Sequence, residues 1–155
     1  MQKLTQKSSL SRESQRMLPS PLQTVKGITG AAAAVKPRGD IIIASHCTEG
    51  AGSTEYKKIL YMVDSPSSFV CRIMQKEFFI PDQWCAQETY QILIDKDVWI
   101  YSDGLSTEEI KRYHMHPVKS IPETIQTLLA KHGRSARWAV VPDGPMVIIK
   151  VTGKS

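Results

Sequence analysis

Asp40-Ile41-Ile42-Ile43-Ala44-Ser45 and, further on, Val98-Trp99-Ile100-Tyr101-Ser102 are the two stretches on which the fold turns. Each is a short β-branched or aromatic run without polar alternation, the pattern of a strand buried on both faces in a parallel sheet. Around them lie helical signals. Pro21–Val35 opens on a proline, repeats Leu22, Val25 and Ile28 at helical spacing and runs through alanines. Lys36-Pro37-Arg38-Gly39 ends it, because the residue before a proline leaves the helical region and a glycine permits a sharp turn. Further helices are expected over Glu55–Val63, capped by Ser53 or Thr54, and over Ser67–Lys76, Gln83–Ile94 and Pro122–Lys131. Ser106-Thr107-Glu108-Glu109 reads as another helix start, with acids near the positive dipole end. Ala136–Val141 reads as a third strand and Met146–Val151 as a short fourth. Strands alternating with helices imply right-handed crossovers. The expected class is α/β, an open parallel, Rossmann-like sheet of three to four strands with helices on both faces.

Composition narrows the function classes. A chain of 155 residues suits one domain, and 41% hydrophobic with 23% charged residues is globular rather than disordered or membrane-embedded. No apolar run approaches the ~20 residues of a membrane span. The start also lacks the charged-then-apolar pattern of a secretory signal. Three cysteines, Cys47, Cys71 and Cys85, cannot all pair within one chain and show no metal-finger spacing, which suits a reducing cytoplasm. The net charge of +5 is concentrated at the front, where residues 1–38 hold seven lysines and arginines against Glu13 alone. That basic head lacks aromatic interleaving and any nucleic-acid motif, so neither a nucleic-acid nor a membrane partner is expected. Met1–Ser20, rich in Ser, Gln and Lys, is expected to be mostly disordered, with the domain proper over 21–155.

Ligands of open α/β sheets bind beyond the carboxyl ends of the strands. Ser45-His46-Cys47-Thr48-Glu49-Gly50, Ser102-Asp103-Gly104 and Pro142-Asp143-Gly144 are placed there. His46 and Cys47 are sequence neighbours, which turns their side chains apart and argues against a nucleophile–base pair. A cleft-lining role is expected for His46, Glu49 and Trp84. Gly50-Ala51-Gly52 follows a strand but lacks the third glycine of a dinucleotide fingerprint. His114-Met115-His116 reads as a solvated helix end, His132 ends a helix where a cation suits the negative dipole end, and no metal ligand set is expected. Gln23 and Lys26, three residues apart near a helix start, share one face and together suit a small carboxylate.

The order and spacing of several short motifs give that pair a context. Leu22-Gln23-Thr24-Val25-Lys26-Gly27 is followed by Ala31–Ala34, Val35-Lys36-Pro37 and the Ile41-Ile42-Ile43-Ala44 strand. Cys47-Thr48-Glu49-Gly50-Ala51-Gly52, Asp82-Gln83-Trp84, Tyr101-Ser102 and the Gly133 to Pro142 stretch then continue the series. Over residues 21–143 this resembles the C-terminal domain of the nickel-dependent lactate racemases.

The resemblance implies a fold, an activity class and two binding residues. Members of that family invert the stereocentre of a 2-hydroxy acid with a nickel-pincer cofactor and two proton-exchanging histidines, all held by an N-terminal domain. Their C-terminal domain contributes a Gln-x-x-Lys pair to the substrate, matched here by Gln23 and Lys26. The chain departs from the pattern in three ways. Its length leaves no room for the catalytic domain, Leu22 replaces the usual aromatic, and nothing before Pro21 resembles the strand that normally precedes this helix. The expectation is a substrate-cleft-forming domain, inactive alone and binding no cofactor itself. It would bind a small 2-hydroxy acid weakly and pair with a separate catalytic domain; the alternative is a non-catalytic ligand-binding or interaction domain. An uncovered sheet edge also leads us to expect a homo-oligomer.

Overall fold

β1 (Asp40–Ala44) and β2 (Asp97–Tyr101) pair in parallel, in a register running from Asp40 opposite Asp97 to Ala44 opposite Tyr101. A third parallel strand, β3 (His116–Pro117), lies on the far side of β2, with His116 opposite Trp99, so the order is β1-β2-β3. This computed structural model describes residues 21–150 except Ala51, Arg134 and Asp143, and of Pro21, Leu22, Gln23 and Pro145 it describes the backbone alone. The basic segment Met1–Ser20 lies outside the described residues.

Parallel strands need long crossovers, and helices fill them. α1 (Pro21–Ala32) precedes β1; α2 (Thr54–Met62), α3 (Pro66–Ile73) and α4 (Gln83–Leu93) lie between β1 and β2; α5 (Thr107–Arg112) leads to β3; α6 (Ile121–His132) follows it. Local chemistry sets most of the starts. Ser53, Ser65, Ser106 and Ser120 each accept a backbone N–H three residues on, and Ser65 with Ser68 and Ser106 with Glu109 form reciprocal capping boxes. α1 stops at Ala32, three residues short of the sequence expectation, because a turn from Ala31 to Val35 already bends the chain toward Lys36-Pro37. The core joins Ile28 of α1, Ile41 of β1, Ile59 of α2, Phe69 of α3, Tyr90 of α4 and Val98 and Ile100 of β2.

Two strands expected from the sequence are absent among the described residues, and an unexpected one takes the third place. Described residues of 136–141 adopt no regular structure, and Trp138 and Val140 are 66% and 73% exposed. Among 146–151, Gly144–Met146 forms a single 3-10 turn and 147–150 is irregular. β-branched composition makes a strand only where a neighbour supplies the ladder, and here the chain is drawn instead against α1. Gly27 and Gly30 let the backbone in: a Cβ on Gly30 would lie 3.5 Å from the Gly144 carbonyl, and a Cβ on Gly144 would lie 3.8 Å from the Gly27 Cα.

The amino end of the sheet also corrects the reading of the histidines. The Asp40 carboxylate, only 4% exposed, accepts hydrogen bonds from Trp99 Nε1 at 2.7 Å, Lys131 Nζ at 3.0 Å and His132 Nε2. Lys131 also bridges to Asp97 at 3.0 Å. His116 stacks on Trp99 with ring centroids 4.3 Å apart and faces Asp97. His132, which ends α6 as expected, and His116 are thus members of a network tying α6 and β3 to the sheet, and His116 lies in β3 rather than at a solvated helix end. His114, in a left-handed conformation, sets Nε2 3.2 Å from the Val63 carbonyl and its ring edge-on to Tyr90.

Tyr90 itself is fully buried against Phe69 and His114, and its hydroxyl is the one buried side-chain polar atom without a partner among the described residues. An unsatisfied buried hydroxyl costs about 1–3 kcal/mol. Tyr90→Phe is therefore expected to hold or raise the urea midpoint, and a loss above about 1 kcal/mol would contradict this packing.

Candidate functional site

The carboxyl ends of β1 and β2 carry two short loops locked together. After Ala44 the chain runs through Ser45, buried, to His46, exposed, and Cys47, buried in a left-handed conformation with φ of 49°. After Tyr101 it runs through Ser102-Asp103-Gly104. Ser102 Oγ donates to the His46 carbonyl at 3.0 Å and accepts from the Gly104 N–H at 3.2 Å. Gly104 has to be glycine: a Cβ there would sit 2.3 Å from the carbonyl oxygens of both His46 and Cys47. This contact fixes the spacing of the two loops.

His46 points outward, its Nδ1 3.0 Å from both oxygens of Asp103. The hydrogen bond from the ring holds the Asp103 carboxyl below its ordinary range. Asp103 lies 57 positions away, so no local spacing announces the pair, although both segments sit at strand ends where ligand groups collect. Cys47 turns the other way, its Sγ 3.4 Å from both Thr24 Oγ1 and Ser45 Oγ, which are 2.9 Å from each other. The imidazole and thiol thus form no dyad. The buried Thr24–Ser45–Cys47 cluster instead pins the first turns of α1 to the end of β1.

That attachment positions Gln23 and Lys26. Both lie in α1, whose amino end is at the carboxyl end of the sheet; Lys26 is exposed, and the Gln23 side chain lies outside the described set. The charge of Lys26 is felt by Cys85 of α4. Burial drives that thiol up to about 12, aided by Asp82 and Glu88, while Lys26 opposes the rise. Cys85 is therefore an inert, protonated core group. Trp84, the neighbouring residue of α4, is 55% exposed.

The start of α4 is braced from two sides. Gln83 Oε1 accepts from the Ile80 N–H at 2.8 Å, and Asp82, at φ of 65°, accepts from Ser53 Oγ at 2.7 Å. Ser53 also caps α2, so one hydroxyl links the loop after β1 to the start of α4. Glu49 is exposed on that loop. Lys26, Trp84 and the His46–Asp103 pair are thus exposed on α1, α4 and the strand-end loops, three elements that meet through the Thr24–Ser45–Cys47 cluster and the Ser53–Asp82 bond. A separate open groove of about 700 Å³, lined by Lys57, Tyr61, Met62 and Phe79 among others, lies along the outside of α2 and includes none of these residues. Among the described residues no three histidine, cysteine, aspartate or glutamate side chains converge as a metal site, and no helix is long and apolar enough to cross a membrane.

Comparison with known proteins shows what the chain as a whole is similar to. Residues 20–149 match the family model described as the lactate racemase C-terminal domain. The chain is 35% identical over 130 residues to the lactate racemase of Lactiplantibacillus plantarum and 32% identical over 130 residues to that of Thermoanaerobacterium thermosaccharolyticum. Each alignment covers 83% of this chain but only 31% and 30% of the relative, so the chain spans about a third of their length. The solved structure of the Thermoanaerobacterium thermosaccharolyticum lactate racemase apoprotein superposes with a TM-score of 0.79 at 30% identity, over 88% of this chain and 33% of that one.

Proposed function

This chain belongs to the family of lactate racemase C-terminal domains, and from that premise we propose that it forms one wall of the substrate cleft of a 2-hydroxy acid racemase or epimerase. The observation that carries the reading is Lys26, an exposed ammonium on α1, whose first turns Thr24 pins to Ser45 and Cys47 at the carboxyl end of β1. In this role Lys26 neutralises the substrate carboxylate, Gln23 hydrogen-bonds it, and Trp84, His46 and Glu49 line the approach.

Racemisation requires a hydride and a proton to leave one face of a carbon and return to the other. An electron acceptor and proton-transfer groups on both sides are then needed. The described residues do not fit the nickel-pincer group that the family implies. No three histidine, cysteine, aspartate or glutamate side chains converge among them, and the histidines are dispersed, His46 at the carboxyl end of β1 and His116 and His132 at the amino end of the sheet. No chemical step is therefore assigned to this chain. It orients a carboxylate and shields it from water, while the reacting groups come from a separate catalytic domain. Alone it is inactive. An exposed ion pair is worth about 0–1 kcal/mol, so lactate binding by the isolated domain is expected at or beyond ~1 mM.

The test supplies the remaining two-thirds of a related lactate racemase, with its cofactor loaded, and follows racemisation of one lactate enantiomer. Activity is expected only when this chain is added. Closing the cleft desolvates the ion pair, so Lys26→Ala should lower the restored rate at least about 30-fold, the equivalent of about 2 kcal/mol. Racemisation by the chain alone, or restoration indifferent to Lys26→Ala, would overturn the assignment. Failure to restore activity would favour a domain that binds ligands without serving catalysis.

A further inference from the structure

We propose that the outer edge of β1 is a self-association surface, on which a second copy of this chain pairs antiparallel through its own β1. The proposal is independent of the cleft reading and stands on where the peptide groups of β1 point. Ser45 N–H donates to the Tyr101 carbonyl at 3.0 Å, and the Gly39 carbonyl accepts from Asp97 N–H at 3.2 Å. In a parallel pair, alternate residues address the same neighbour with both N–H and C=O. Gly39, Ile41, Ile43 and Ser45 therefore face β2, and the backbone groups of Asp40, Ile42 and Ala44 face away from it. None of these outward groups is bonded by a backbone group among the described residues.

Exposed edges in soluble proteins normally carry lysine, proline or a bulge. β1 carries three consecutive isoleucines instead, with Ile42 and Ile43 only half-buried and Ala44 exposed. Its one charge, Asp40, is turned into the network with Trp99, Lys131 and His132 and does not guard the edge.

The edge is self-complementary. In a two-fold antiparallel register centred on Ile42, Ile42 meets Ile42 of the second copy and Asp40 meets Ala44, so every outward group finds a partner with matching phase. The charges agree with this register. The two Asp40 carboxylates lie at opposite ends; the exposed Lys36 of one copy falls opposite Thr48, next to the exposed Glu49 of the other, and Arg38 falls opposite His46, which holds the Asp103 carboxylate. A parallel register would leave the edge unsatisfied in any closed pair.

The experiment uses the full chain. Sedimentation velocity over a wide concentration range is expected to show a reversible monomer–dimer equilibrium. Ala44→Pro removes one outward N–H that no described backbone group uses, follows a residue already extended, and so leaves the monomer's ladder intact. It should weaken dimerisation at least about tenfold with an unchanged thermal melt of the monomer. In a Cys71→Ser background, which removes the exposed native thiol, Ile42→Cys should be captured as a residue 42 to residue 42 crosslink by a short bifunctional thiol reagent. A strict monomer would overturn the proposal, meaning a segment of the same chain covers the edge. A dimer untouched by Ala44→Pro would overturn it as well. So would a dimer weakened by that change but lacking the 42–42 crosslink, because another strand would then be the occupant.

Discussion

Gly104→Ala is expected to destabilise the domain by about 3 kcal/mol or more, enough to lower the melting temperature by ~10 °C. The added methyl would stand 2.3 Å from two carbonyl oxygens, those of His46 and Cys47, and 2.6 Å from the Cys47 carbonyl carbon. No real Cβ tolerates such distances, and the obstacles are backbone, so relief requires the loops after β1 and β2 to separate. Separation would break the Ser102 hydrogen bond to His46 and disturb the Thr24–Ser45–Cys47 cluster, which holds α1 to the sheet. The same substitution in α1 provides the contrast. Gly30→Ala puts a methyl at ordinary contact distance, 3.5 Å from the Gly144 carbonyl, and helix propensity favours alanine by roughly 0.5–1 kcal/mol. Equal losses at the two sites would refute the close-packed junction of the strand-end loops.

Asp40→Ala is expected to cost about 3 kcal/mol, within the range for breaking a buried charge pair from one side. The substitution leaves Trp99 Nε1 without its acceptor and removes the anion that Lys131 and His132 share. Lys131 and His132 are each more than a third exposed and can rehydrate, which keeps the loss from growing further. Asp40→Asn keeps an acceptor for the indole and should cost less. The native carboxyl also predicts an acid limb. Burial raises its pKa, but hydrogen bonds from His132, Trp99 and Lys131 outweigh burial and lower it from the ordinary 3.8. A folded-state pKa below the unfolded value means stability fully present above about pH 4 and lost as pH falls through the folded pKa. Urea midpoints measured from neutral pH downward should therefore drop less steeply below pH 4 in Asp40→Asn than in the wild type. Parallel curves would show that Asp40 titrates as it does in the unfolded chain.

How far the sequence reached follows the range of the interactions involved. The β-branched runs at Ile41–Ile43 and Val98–Ile100 identified two parallel strands because a helix-covered sheet leaves a local compositional mark, no polar alternation in its strands, even though Ile42, Ile43 and Trp99 are only half-buried. Helix starts at Ser53 and Ser106 were legible for the same reason: a cap bonds a residue three positions away. The motif order from Leu22 to Pro142 pointed to the lactate racemase family, and with it to Gln23 and Lys26 as the residues to test.

Tertiary structure alone decided the rest. Ala136–Val141 has a strand's composition, yet a strand is a relation between two segments, and the turn that follows it packs on Gly27 and Gly30 of α1. His116-Pro117 has a poor strand composition, yet it lies beside β2 and becomes β3. The partnerships of His46 with Asp103 and of His132 with Asp40 span 57 and 92 positions, distances over which no periodicity carries information. Helical and β-branched patterns record which residues are buried. Which of them meet, and which peptide groups of β1 are left facing outward, is set only when the elements pack.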